Sequence, residues 1–109
     1  MLAQEHCTPR RNDTEPLSDE DVTKLLRELH GWKLDTGRIQ RSFTFETFCD
    51  AIAFVNDVAD CAEAENHHPD ILIWYRVVTL VLTTHTAGGL SRNDFIMAAQ
   101  IDAHRGARE

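Results

Sequence analysis

The chain has 109 residues, 42% of them hydrophobic and 27% charged, and a formal net charge of −7 with histidine neutral. That length predicts one small domain, the ordinary apolar content argues against disorder as its general state, and the acidic balance argues against a nucleic-acid partner, whose phosphates need clustered Lys and Arg. The N-terminus lacks the apolar stretch of a signal peptide, and no apolar run approaches the ~18 residues that would span a bilayer. The expectation is a soluble protein with no membrane partner. Cys7, Cys49 and Cys61 form an odd set without CxxC spacing, which favours a reducing cytoplasm over a disulfide framework.

Residues 1–16 are polar, carry Pro9 and Pro16 and show no periodicity, so they predict a flexible arm. The domain proper is expected over 17–105, with 106–109 as a fraying tail. Ser18-Asp19-Glu20-Asp21 has the form of a capping box, with Leu17 and Val22 as a hydrophobic staple. Val22, Leu25, Leu26 and Leu29 then follow helical spacing, and Gly31 stops the helix. Trp32-Lys33-Leu34, the turn Asp35-Thr36-Gly37 and the run Ile39 to Phe45 predict a hairpin. A second helix is expected from about Thr47 to His67, with Phe48, Ala51, Ile52, Val55, Val58, Ala59 and Ala62 on its apolar face. Pro69 disfavours a helical His68, which ends the helix near the two histidines.

The β-branched and aromatic run Ile71 to Thr84 is too long for one strand and is divided near Tyr75-Arg76. Its second half has apolar residues on both faces, Val77 and Val81 against Val78, Leu80 and Leu82, which predicts cover on both sides. Helices would cover one side and a second subunit the other. After the Ala87-Gly88-Gly89 turn, Ser91-Arg92-Asn93-Asp94 repeats the capping box, with Leu90 and Phe95 as staple. The order α-β-β-α-β-β-α predicts an α+β two-layer sandwich: a four-stranded antiparallel sheet with three helices on one face.

The chemistry-bearing residues gather around the second helix's end and the last strand's end. Glu63 and His67 are four apart, so on a helix the carboxylate would lie beside the imidazole and orient it. His68 points elsewhere, and His85 arrives from a different part of the fold beside a glycine turn. Imidazole titrates near neutral pH, which suits proton transfer. Plainer readings compete. A His-His pair at a helix C-terminus favours the helix dipole, and Asp94 serves as a cap. Trp74 and Tyr75 read as core or interface, and His6, His30 and His104 as solvated surface. Cys7, Cys49 and Cys61 each read as a small apolar filler or an idle tail thiol. Adjacent histidines seldom converge on one ion, so no metal is expected.

Glu63-x-x-x-His67-His68-Pro69, then five residues to Tyr75, nine more to His85 and eight more to Asp94, resembles the signature of the pterin-4a-carbinolamine dehydratases. Gly89-Leu90-Ser91 also matches that family's wording. The resemblance spans roughly residues 17–104. It implies a lyase that dehydrates a 4a-hydroxytetrahydropterin to the quinonoid dihydropterin in tetrahydrobiopterin recycling, without metal or organic cofactor. It also implies a homodimer or homotetramer. By the same resemblance, His67 and His85 form the acid–base pair and His68 holds or polarises the pterin. Glu63 orients His67, while Asn66, Thr84 and Thr86 contact substrate at the rim. Two positions depart from the family pattern: Asn66 and Thr86 stand where an acidic residue is usual, keeping hydrogen-bonding ability but losing a charge. Other readings of the same chain are a non-enzymatic dimerisation or coactivator-type protein, and a dehydratase-like protein of another pterin pathway such as that of the molybdenum cofactor.

Overall fold

Capping chemistry opens each helix. The computed structural model describes residues 2–8 and 15–108, the stretch from 105 onward as backbone alone. Helix α1 spans Asp19–Leu26, and the Ser18 hydroxyl accepts the Asp21 N–H, as the sequence predicts. The chain tightens through Leu29 and turns at Gly31, whose φ of +78° is costly for any residue with a Cβ. A Cβ there would also meet the Arg41 guanidinium at 3.0 Å. Strands β1 (Lys33–Asp35) and β2 (Arg38–Thr44) form the expected hairpin. Thr47 caps α2, Phe48–Glu65, by accepting the Asp50 N–H. Strands β3 (Asp70–Trp74) and β4 (Val77–Leu82) are divided at Tyr75-Arg76. Helix α3 runs Arg92–Arg108, so the backbone of the expected fraying tail is helical up to Arg108 and Glu109 lies outside the described residues.

The four strands form one antiparallel sheet in the order β1-β2-β4-β3. Its helix-facing side carries Ile39, Phe43, Val78, Leu80 and Leu82, all buried, against Phe54, Phe95, Ile96 and Ile101 of the helices. This is the α+β sandwich that the element order predicts, with the three helices on one face. The opposite side is less complete: Val77, Thr79 and Val81 are half-buried, and Leu72 and Trp74 beside them are exposed, Trp74 by 83%. Trp74 and Tyr75 are therefore not core residues of this chain.

The apolar face of α2 is rotated from expectation. Ala51, Phe54, Val58, Cys61 and Ala62 are buried, whereas Phe48 and Ala59 are exposed. The large ring decides the rotation: Phe54 lies 4.7 Å from Phe43 and 5.1 Å from Phe45 between ring centroids, contacts worth about 0.5–1.5 kcal/mol each beyond simple burial.

The N-terminal stretch also differs from the flexible arm expected of it. Residues 9–14 lie outside the described residues, but Leu2–Thr8 is docked on α3 and the end of α2. Leu2–Gln4 makes a 3₁₀ turn whose Leu2 is buried. Glu5 holds Arg92 with two short bonds, Nε to Oε1 at 2.8 Å and Nη2 to Oε2 at 2.6 Å. His6 Nδ1 lies 2.8 Å from Glu65 Oε2, and the Cys7 N–H donates to Glu65 Oε1 at 2.7 Å. Cys7 is thus part of the packed structure, not an idle thiol, and burial with Glu65 nearby pushes its pKa up to about 12.

Glu65 behaves in the opposite sense. Burial alone would raise its pKa, but His6, the Cys7 N–H and Gln100 together hold it below the ordinary 4.5. A carboxylate depressed in the folded state adds stability above its unfolded pKa and loses it as pH falls through the lower folded value. Amide protection at Cys7 should therefore be lost as pH falls through the lowered Glu65 pKa, while protection at Leu80 in the sheet persists. Hydrogen exchange followed by NMR checks this, and equal loss at both sites would contradict it.

Candidate active site

The end of α2 is built by one residue. Asn66 takes the left-handed conformation, φ 52° and ψ 41°, a turn that asparagine tolerates better than most residues. The break throws His67 off the helical path, and its N–H closes back on the Ala62 carbonyl at 3.2 Å. The four-residue spacing from Glu63 to His67 therefore no longer places them side by side. The Glu63 carboxylate instead accepts from His68 Nε2 at 2.7 Å, in a pair with 79% and 54% of the two side chains exposed. The expected Glu63–His67 contact is corrected accordingly. A pair so exposed is worth little by itself.

His67 turns inward. Its side chain is 11% exposed, and Nε2 lies 2.7 Å from Asp94 Oδ1. Asp94 is fully buried and accepts two further hydrogen bonds on Oδ2, from the Ser91 N–H at 2.9 Å and the Thr84 hydroxyl at 2.8 Å. It does cap α3, as the sequence predicts, yet the capping box closes on one side only. The Asp94 N–H bonds the Ser91 carbonyl oxygen, and the Ser91 hydroxyl pairs with Thr84 at 2.8 Å. With a carboxylate on Nε2, a neutral His67 carries its proton there and leaves Nδ1 as its lone-pair nitrogen.

Thr84 links this buried network to the surface. It forms an isolated bridge with Gly89, through bonds of 3.0 and 3.3 Å, that closes the short His85–Ala87 turn. Gly88, at φ +75°, allows the loop to close so tightly. The turn presents His85 and Thr86 to solvent. His85 lines a cleft of about 360 Å³ with Thr84, Asp70, Arg38 and the glycines of the two adjoining turns. Thr83 ties the cleft to the β1–β2 hairpin by donating to the Gly37 carbonyl at 2.7 Å.

Asp94 thus joins His67 and Thr84, while His85 follows Thr84 in the chain and lines the cleft, whose lining does not include His67. Asn66 is the turn residue itself, exposed beside the site; Thr86 is exposed outside the cleft lining. His68 and Glu63 form their own pair at the surface. Asp70 and Arg38 join the cleft without having been singled out in the sequence. Asp70 had a usable signal, directly after His67-His68-Pro69, whereas Arg38 had none, since it arrives from another hairpin. Among the described residues no group of three His, Cys, Asp or Glu side chains is arranged to hold a metal ion, and no helix is long and apolar enough to cross a membrane.

This arrangement sits in a chain with many relatives. A protein of Nitrosospira multiformis is 45% identical over 101 residues, covering 93% of this chain and 89% of that one, and bears the pterin-4-alpha-carbinolamine dehydratase name in provisional form. The crystal structure of a transcriptional coactivator/pterin dehydratase from Brucella melitensis matches with a TM-score of 0.77 at 34% identity, covering 82% of this chain and 97% of that one. A pterin dehydratase-like protein described as a RuBisCO assembly factor in the alpha-carboxysome matches with a TM-score of 0.60 at 25% identity, over 71% of this chain and 92% of that one. The family model for pterin 4 alpha carbinolamine dehydratase matches residues 15–104, so the chain belongs to that family.

Proposed function

We propose that this protein is a hydro-lyase that dehydrates a 4a-hydroxytetrahydropterin to the quinonoid dihydropterin, with His67 and His85 as its acid–base groups. The observation that carries the reading is the chain of hydrogen bonds from His67 through Asp94 to Thr84, beside the cleft that His85 lines. The elimination protonates the departing C4a hydroxyl, which leaves as water, and removes the N5 proton as the C4a–N5 double bond forms. Each transfer by a positioned group contributes typically ~10²–10⁴-fold. Asp94 fixes the tautomer and direction of His67, the role of the orienting third group in other nucleophile–base sets. His68 at the rim, with Asn66, Thr84 and Thr86, supplies polar contacts for the pterin, and Glu63 steadies His68 in place of His67. No metal or organic cofactor enters these steps.

The test is a stopped-flow absorbance assay on freshly generated 4a-hydroxytetrahydropterin. Acceleration well above buffer is expected. Folded protein that leaves the rate at the buffer value would overturn the reading, and activity confined to a different pterin would move it to another pathway, such as that of the molybdenum cofactor.

A second reading, a protein–protein interaction module, draws on a specific observation. The edge strand β3 exposes Leu72, Ile73 and Trp74, with Tyr75 beyond it, and an apolar sheet edge of this kind favours pairing with another chain. A homodimer or homotetramer would use such a surface, and the odd cysteine count fits a cytoplasmic setting. Both readings can hold together. A stable complex unaffected by His67→Ala, from protein without dehydratase activity, would favour the interaction role alone.

A further inference from the structure

We infer that the docked segment Leu2–Thr8 is a positioning element of the site: it clamps together the end of α2 and the start of α3, the two termini that carry His67 and Asp94. Glu65 is the last residue of α2, two before His67, and Asn93 stands immediately before Asp94. The segment reaches both. Cys7 donates its N–H to Glu65 Oε1 at 2.7 Å, and its thiol lies 3.7 Å from the Asn93 carbonyl oxygen. Thr8 donates its N–H to Asn93 Oδ1 at 3.0 Å. One turn of extended chain therefore spans from one terminus to the other.

The remaining contacts anchor this span. His6 takes the second oxygen of Glu65, and Glu5 grips Arg92, the first residue of α3. Gln100, two turns further along α3, donates to the Glu5 carbonyl at 2.9 Å, and buried Leu2 secures the far end. Each contact joins the segment to one of the two helices, and none of these residues lines the cleft.

The consequence is geometric. The His67–Asp94 pair is 2.7 Å long and joins elements 27 positions apart in the chain. A hydrogen bond of that length does not survive an ångström of separation between its supports. Misplacement on that scale can cost about 10²-fold in a reaction that depends on orientation. The clamp fixes the separation from outside the site, so its residues act through His67 and never touch substrate.

The inference rests on the dehydratase reading for its kinetic arm and on structure alone for its spectroscopic arm. Leu2→Asp buries a charge at the anchor, beside Leu29 and Ala99, and releases the segment. In the full chain it is expected to raise amide exchange at Cys7 and Thr8 and to speed exchange of the His67 Nε2 proton seen by NMR. The expected kinetic effect is a fall in kcat of about tenfold with KM nearly unchanged. Glu65→Gln, which keeps the shape but weakens the contacts of Glu65 with His6 and the Cys7 N–H, should do the same to a smaller degree, and it carries the test if Leu2→Asp fails to fold. Unchanged His67 exchange and kcat in a variant whose Cys7 and Thr8 amides have become labile would overturn the proposal. So would amides that stay protected in Leu2→Asp, since anchoring by Leu2 would then be absent. A wild-type protein without dehydratase activity would refute the functional reading while leaving the NMR comparison to decide the clamp.

Discussion

Asp94→Ala is expected to be the most destabilising single substitution at the site, and to abolish most activity as well. The buried carboxylate accepts from His67, the Ser91 N–H and the Thr84 hydroxyl. Truncation takes the acceptor from all three donors at once and strips α3 of a capping interaction. An unsatisfied buried donor costs about 1–3 kcal/mol and a lost cap about 1 kcal/mol. Thr84 and Ser91 retain each other, which limits the loss to about 3 kcal/mol in all. In a domain of this size that lowers Tm by roughly 12–24 °C. Asp94→Asn separates the two roles. The amide oxygen can still accept at one position, so most of the stability should return, but its NH₂ cannot stabilise a protonated His67 as a carboxylate does. Calorimetry and stopped-flow rates on the two variants check this together. A stable Asp94→Asn with full rate would mean that Asp94 serves structure only.

What was legible in the sequence follows the range of the interactions involved. Ser18, Thr47 and the Tyr75-Arg76 turn act within a few residues, and the elements that they bound appear where local chemistry puts them. The apolar pattern misplaces the face of α2 because two overlapping stripes share Ala51, Val58 and Ala62. Only the aromatic contacts of Phe54 with β2 and its extension choose between them. The Glu63–His67 contact failed because i to i+4 spacing presumes a continuing helix, and Asn66 ends it in the left-handed region. All three histidines were visible as candidates. Their partners were not, because His67–Asp94 and Thr84–Asp94 are tertiary contacts that no periodicity encodes. The docking of Leu2–Thr8 is the extreme case: two of its donors are the backbone N–H groups of Cys7 and Thr8, which carry no sequence signal, and their acceptors lie 58 and 85 positions away.

His85→Ala and His67→Ala should both lose activity yet differ in stability, and that difference discriminates between the functional readings. His85 is exposed on its turn and lines the cleft. Its removal should leave Tm nearly unchanged and lower kcat by about 10²-fold, the lower end of what a positioned acid or base contributes, or roughly 2.7 kcal/mol of barrier. His67 is mostly buried and holds one oxygen of a fully buried carboxylate. Its removal should cost a similar factor in rate and, in addition, about 1–3 kcal/mol of stability through the acceptor left behind. A protein that serves only as a binding module would show the stability loss for His67→Ala and nothing measurable for His85→Ala. An enzyme shows the rate loss in both. The exposed histidine is therefore the more informative of the two, because its side chain makes no hydrogen bond among the described residues and an effect of its removal belongs to chemistry or to substrate.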